Sequence, residues 1–118
     1  MDLRFPQEEK LKSRRLIERL FSEGKSISKF PVKLYFLPVD NVEKNRAAFA
    51  VPKRSFKLAV DRNRVKRQMR EAYRHHKHML SQQNEAKFAL LFLYIGKEKP
   101  QYSQLESAFH GLLSKSLS

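Results

Sequence analysis

The sequence contains no cysteine, which removes disulfides, thiol catalysis and cysteine-ligated zinc. It has three glycines, Gly24, Gly96 and Gly111, too few and too far apart for a phosphate-cradling glycine loop. It has no long apolar run. The longest, Phe88 to Ile95, falls well short of a bilayer span, and Met1–Pro6 shows no apolar stretch of signal-peptide length. A cytoplasmic location is the expectation, with no membrane association. Acids are scarce: 12 Asp plus Glu against 25 Lys plus Arg, a net charge of +13. Those present are scattered, with no Asp-x-Asp or Glu-x-x-His pairing, so the acid/base pair or carboxylate cluster of a protein nuclease is missing.

About one excess positive charge per nine residues points to a polyanionic partner. The 118 residues, 41% of them hydrophobic, suit one domain with a real core, 1–118. Helical spacing of Leu11, Ile17, Leu20 and Phe21 predicts a first helix from Gln7 to Glu23, stopped by Gly24. Alternation predicts a strand over Pro31–Pro38, with Val32, Leu34 and Phe36 on one face and Lys33, Tyr35 and Leu37 on the other. A turn region at Asp40-Asn41, with Asn45 further on, precedes a second strand over Arg46–Lys53, and the spacing suits a hairpin. A long helix follows from Ala59 to Leu80. Phe88–Ile95, apolar on nearly every residue, reads as a strand covered on both faces. Ser103-Gln104-Leu105-Glu106 reads as a capping box opening a last helix with a Leu105, Phe109, Leu112 stripe. The fold class is α/β (α+β), helices against a small sheet.

The long helix carries the most information. At about 100° per residue, Arg62, Lys66 and Arg70 form one row and Asn63, Arg67 and Arg74 the next, an arc of roughly 140°. Val65, Met69, Ala72 and His76 fall opposite, toward the core, and Arg64 lies outside both groups. Like charges at i and i+4 destabilise an isolated helix, and Glu71 is the one acid near the arc. A phosphate backbone would reverse the sign of that cost. Arginine forks can each take two phosphate oxygens, and Asn63 can address a base edge or a 2′-hydroxyl. A merely solvated charged face is the bland alternative. His75, His76 and His78 cluster at the helix end with no carboxylate among them, which favours partial charging near a C-terminus over metal binding.

Ala59 to Glu71, with Arg62-Asn63-Arg64-Val65-Lys66-Arg67 and Arg70, resembles the signature of the bacterial ribonuclease P protein component. Phe21-Ser22-Glu23-Gly24, Phe49-Ala50-Val51-Pro52-Lys53-Arg54 and Phe88–Ile95 extend the resemblance over nearly the whole chain. It implies a two-layer sandwich in the order α-β-β-(β)-α-β-α, with a left-handed βαβ crossover through the basic helix. It implies a subunit that binds ribonuclease P RNA through Arg62, Asn63, Arg64, Lys66, Arg67, Arg70 and Arg74. A cleft lined by Ile17, Phe21, Lys33, Tyr35, Lys53 and Arg54 would hold the single-stranded 5′ leader of precursor tRNA, although Phe21 reads equally well as core. Catalysis would belong to the RNA with Mg2+ in the holoenzyme. The protein alone would bind no cofactor and require no protein partner. Ile17 stands where phenylalanine is frequent in the family, and Lys57 where glycine is. Two other readings remain open from the residues: a ribosomal or ribosome-assembly RNA-binding protein, and a self-sufficient nuclease using His75 or His76.

Overall fold

The structure is a computed structural model that describes residues 10–11, 13–39, 44–83 and 87–115. Its elements are α1 (Arg14–Glu23), β1 (Lys25–Lys29), β2 (Val32–Val39), β3 (Arg46–Ala50), α2 (Ala59–His76), α3 (His78–Gln83), β4 (Lys87–Tyr94) and α4 (Tyr102–Leu113). The four strands form one sheet in the order β1-β2-β4-β3. β1 and β2 are an antiparallel hairpin closed by Phe30-Pro31, whose peptide bond is cis. β2 and β4 are antiparallel, and β3 and β4 are parallel.

β4 explains that order. Phe88 to Phe92 and Tyr94 are all buried, so neither face of the strand can meet water. It takes an interior position, with its residues alternating between two cores. Phe88, Leu90, Phe92 and Tyr94 join Val32, Leu34 and Phe36 of β2 beneath α2 and α4. Ala89 and Leu91 join Leu11 and Leu20 beneath α1. The expected hairpin between β2 and β3 is therefore not formed, because β4 separates them. β1 escaped the sequence reading because Lys25-Ser26-Ile27-Ser28-Lys29 holds a single apolar residue, the composition of a solvated edge strand.

The β3–α2–β4 crossover is left-handed, and backbone stereochemistry demonstrates it. In a strand of L-residues running upward, a residue whose side chain faces the viewer points its N–H and C=O to the right. Ala47 and Phe88 both face the α2 core. The Ala47 carbonyl accepts from Leu11 N–H (2.9 Å) at the outer edge of the sheet. The Phe88 N–H donates to Asn45 Oδ1 (2.8 Å) at the foot of β3. With α2 in front, β4 thus lies to the left of β3, against the usual right-handed rule.

Several boundaries differ from expectation. α1 begins at Arg14, with Ser13 accepting from Leu16 N–H (3.3 Å) as its N-cap. Leu11 is outside the helix because its backbone bonds to β3, although its side chain is buried as expected. Gln7–Glu9, Lys12 and the Asp40-Asn41 turn lie outside the described residues. Gly24 ends α1 in an extended conformation, its N–H on Leu20 O, and a Cβ there would sit 2.5 Å from that same oxygen. The long helix breaks at Lys77 into α2 and α3. The capping box is not formed: Gln101 is the N-cap of α4 without a side-chain bond, and Ser103 lies inside the helix. The Leu105, Phe109, Leu112 stripe is buried as expected.

Phe92 is the hub of the larger core, with ring centroids of Phe109, Tyr73 and Phe49 at 4.7, 5.4 and 5.5 Å. Phe92→Ala should lower unfolding stability by about 3–5 kcal/mol in urea titrations, because three rings cannot close over the cavity.

Candidate RNA interface

α2 separates its faces by residue type. Val65, Met69, Ala72 and Tyr73 are buried against the sheet and α4. Asn63, Arg64, Arg67 and Arg70 are exposed, while Arg62, Lys66 and Arg74 are half-buried. The outward array is therefore rotated from the expected arc, away from Arg62 and Lys66 and toward Arg64. Tyr73 is the cause: at helical spacing it falls between Arg62 and Lys66 around the helix and draws the core stripe beneath them. His76 faces inward as expected, its side chain 15% exposed.

Arg62 has a structural task. Its Nη1 donates to the carbonyls of Phe56 (2.8 Å) and Lys57 (2.9 Å), fastening the β3–α2 connection to the first turn of the helix. Arg74 pairs with Glu71 (2.6 Å), which also holds His75 (2.9 Å). Arg64, which helix geometry alone left unplaced, lines a shallow depression of about 410 Å³ with Arg67, Gln68, Glu71 and Tyr102 of α4. Tyr102 was not foreseen, because only the docking of α4 on α2 brings it there.

The opposite face of the sheet carries the second group. Phe21 of α1 is 53% exposed, so it is not core packing. Its ring lies 4.9 Å from that of Tyr35, at 59°, and Lys33 Nζ stands 5.0 Å from the Tyr35 centroid. Ile17 is half-buried beside them against the Leu20–Leu91 core. Strand register extends this group into a floor. Tyr35 is level with Leu91 and Ala48, and Lys33 with Leu93 and Ala50. Ala48 and Ala50 were missed by sequence reasoning; small residues at alternate positions of β3 were the available signal for an open sheet surface. Lys53 and Arg54 are exposed on the turn leaving β3. They sit two strands from Lys33, flanking the floor without joining the aromatic pair.

Among the described residues no three His, Asp or Glu converge as metal ligands. His76 instead meets α4: its Nε2 is 3.7 Å from Glu106 Oε1, beyond hydrogen-bond reach, and its ring lies 5.7 Å from that of His110. Burial holds its pKa below 6.5; Glu106 opposes the shift, and His110, His75 and His78 add to it. No described helix is long and apolar enough to cross a membrane.

A four-stranded sheet with helices on both faces, and an arginine-rich helix in its left-handed crossover, defines a basic α+β domain. The family model described as Ribonuclease P matches residues 5–116. The chain is 34% identical to the ribonuclease P protein component of Porphyromonas gingivalis, over 85% of this chain and 77% of that protein. It is 30% identical to that of Caldanaerobacter subterraneus, over 90% and 87%. Among solved structures, the RNase P protein of Staphylococcus aureus superposes with TM-score 0.75 at 19% identity, covering 89% of this chain and 92% of that one. The Thermotoga maritima RNase P protein gives 0.74 at 23%, covering 90% and 96%. The chain belongs to the ribonuclease P protein family, and membership assigns it the role of an RNA-binding subunit in tRNA processing. The ribosomal alternative is not favoured.

Arg62→Ala should lower stability by about 1–2 kcal/mol as well as weaken RNA binding, because it leaves two carbonyls of the connection without their donor. Arg67→Ala should weaken RNA binding with an unchanged melting temperature. Equal melting temperatures for both variants would remove the structural role of Arg62. Because the folded His76 pKa lies below the unfolded value of 6.5, the unfolded chain takes up the proton first on acidification. The His76 contribution is complete above 6.5 and is lost as pH falls through the window beneath it. His76→Gln should therefore flatten the fall in urea midpoint from about pH 7 to about pH 5 relative to wild type.

Proposed function

We propose that this subunit holds ribonuclease P RNA on the exposed face of α2 and the 5′ leader of precursor tRNA on the opposite sheet face, while the RNA performs the cleavage. One observation carries the reading. The β3–α2 connection joins the floor beneath Tyr35 and Lys33 directly to the arginine array, and Arg62 fixes that junction. A substrate strand and a catalytic RNA would then be held at a set distance by one rigid piece of chain, which is positioning rather than bond-breaking.

Arg64, Arg67 and Arg70, with Asn63 among them, would meet phosphates and 2′-hydroxyls of the RNA subunit, with Lys66 and Arg74 at the margins. Phe21 and Tyr35 would stack on unpaired leader bases, a contact tolerant of sequence, while Lys33, Lys53 and Arg54 meet its phosphates. The described residues do not fit Mg2+: the converging groups here are cations and rings, not carboxylates. Mg2+ is assigned to the RNA-containing holoenzyme. A cytoplasmic complex that needs no further protein is part of the same proposal.

Protein freed of RNA should leave precursor tRNA intact, and adding the RNA that co-purifies with it should restore leader removal at low Mg2+. Robust cleavage by the RNA-free protein would overturn the proposal. Alanine at Arg67 or Arg70 should reduce the slope of log affinity against log salt by about 0.7–0.9 each. If every such slope stays unchanged, the α2 face is not the interface.

A further inference from the structure

At the end of the sheet, a third concave site faces away from the Tyr35 floor. It is a cavity of about 360 Å³ beside the β1–β2 turn, in the size range of ligand pockets. Phe30, on that turn, forms one wall and is 65% exposed. Tyr94 lies beneath, stacked on Phe56 at 5.8 Å and 26°. Lys97, Glu98 and Lys99 form the rim, and Gln104 of α4 closes the far side.

The segment bearing these residues is built into place. The Tyr94 hydroxyl donates to the Glu98 carbonyl, and burial together with the Glu98 carboxylate raises its pKa, which keeps it a donor. Gly96 is required above it, since a Cβ there would meet the Tyr94 hydroxyl at 2.6 Å. The Ile95 N–H donates to Pro31 O (2.8 Å), tying the segment to the turn that carries Phe30. Lys99 pairs with Asp61 (3.2 Å), tying it to the first turn of α2. Four constraints thus hold an exposed aromatic wall and a cationic rim around one opening, across from the Gln104 amide.

We propose that this cavity docks a single unpaired nucleotide of a bound RNA, with its base against Phe30, its edge toward Gln104 and its phosphate on Lys97. A base supplies the flat apolar face that the exposed ring lacks. The Gln104 amide can both donate and accept, as a base edge requires. The Glu98 carboxylate on the rim disfavours a free nucleotide with clustered phosphates and is compatible with a chain carrying one phosphate per base. The net charge of +13 favours RNA over an uncharged peptide. Phe30, on the turn that leads into β2, lies three residues before Lys33. A leader strand running off the sheet floor, or a loop of the RNA subunit reaching across from α2, can arrive there. The inference rests on the RNA-binding reading but concerns a separate site.

Binding of fluorescein-labelled octaadenylate and of an abasic ribose-phosphate chain of equal length, followed by anisotropy, tests it. Phe30→Ala should weaken octaadenylate by about tenfold and leave the abasic chain unchanged, with Phe30→Trp restoring affinity. Lys97→Ala should reduce the salt slope for both by about 0.7. If Tyr35→Ala weakens octaadenylate while Phe30→Ala stays within about twofold, this site fails and the RNA-binding reading stands. If neither variant weakens it, both fail. Equal weakening of the abasic chain by Phe30→Ala would also overturn base docking. With 4-thiouridine in the precursor leader or in the co-purifying RNA, irradiation should attach one of them to the peptide around Phe30 or Lys97 and so name the source. An adduct to neither would overturn the proposal.

Discussion

β4 has no polar face to offer water. Phe88, Leu90 and Phe92 on one side and Ala89 and Leu91 on the other are all at most 3% exposed. At about 25 cal/mol per Å² of apolar area, leaving either face open would cost several kcal/mol, so helices must cover both. α1 supplies one cover, and α2 with α4 the other. The β3–α2–β4 connection lays α2 over one of these faces, opposite α1. The arginine array is consequently attached to the same framework that presents Tyr35 and Lys33, and its distance from them is set by core packing rather than by a loop.

Charge is arranged around that framework at a cost. α2 carries six Arg and Lys residues against Asp61 and Glu71. Both acids are engaged, Asp61 by Lys99 and Glu71 by Arg74 and His75. These pairs are solvent-accessible and contribute little to stability. The helix is held instead by Val65, Met69, Ala72 and Tyr73 beneath it. Apolar burial therefore stabilises a surface that electrostatics alone would disfavour, and a polyanion converts that disfavoured surface into affinity.

Much was legible in the residues. Alternation in Val32–Leu37 assigned its faces correctly, since period two in a half-covered strand leaves no other choice. The outward Arg67 and Arg70 and the inward Val65 and Met69 followed from helical period. Other points were not legible. β1 has no apolar pattern to read, because an edge strand needs only backbone partners. Leu11 matched the helix period but was captured by β3, a long-range bond that a local pattern cannot signal. Ser103 and Glu106 had the right spacing for a cap, yet the fold started α4 at Tyr102, where the ring packs against the larger core.

The sequence by itself determined the class: a strongly basic chain with one strand apolar on both faces and one helix divided into cationic and apolar sides. Those properties depend on composition and period, which are local. Only the tertiary structure decided the left hand of the crossover, the separation of β2 from β3, the rotation of the array toward Arg64 and the exposure of Phe21. Each of those depends on which residues from distant parts of the chain compete for the same buried volume. Tyr73 wins the space beneath Arg62 and Lys66, and β4 wins the place between β2 and β3.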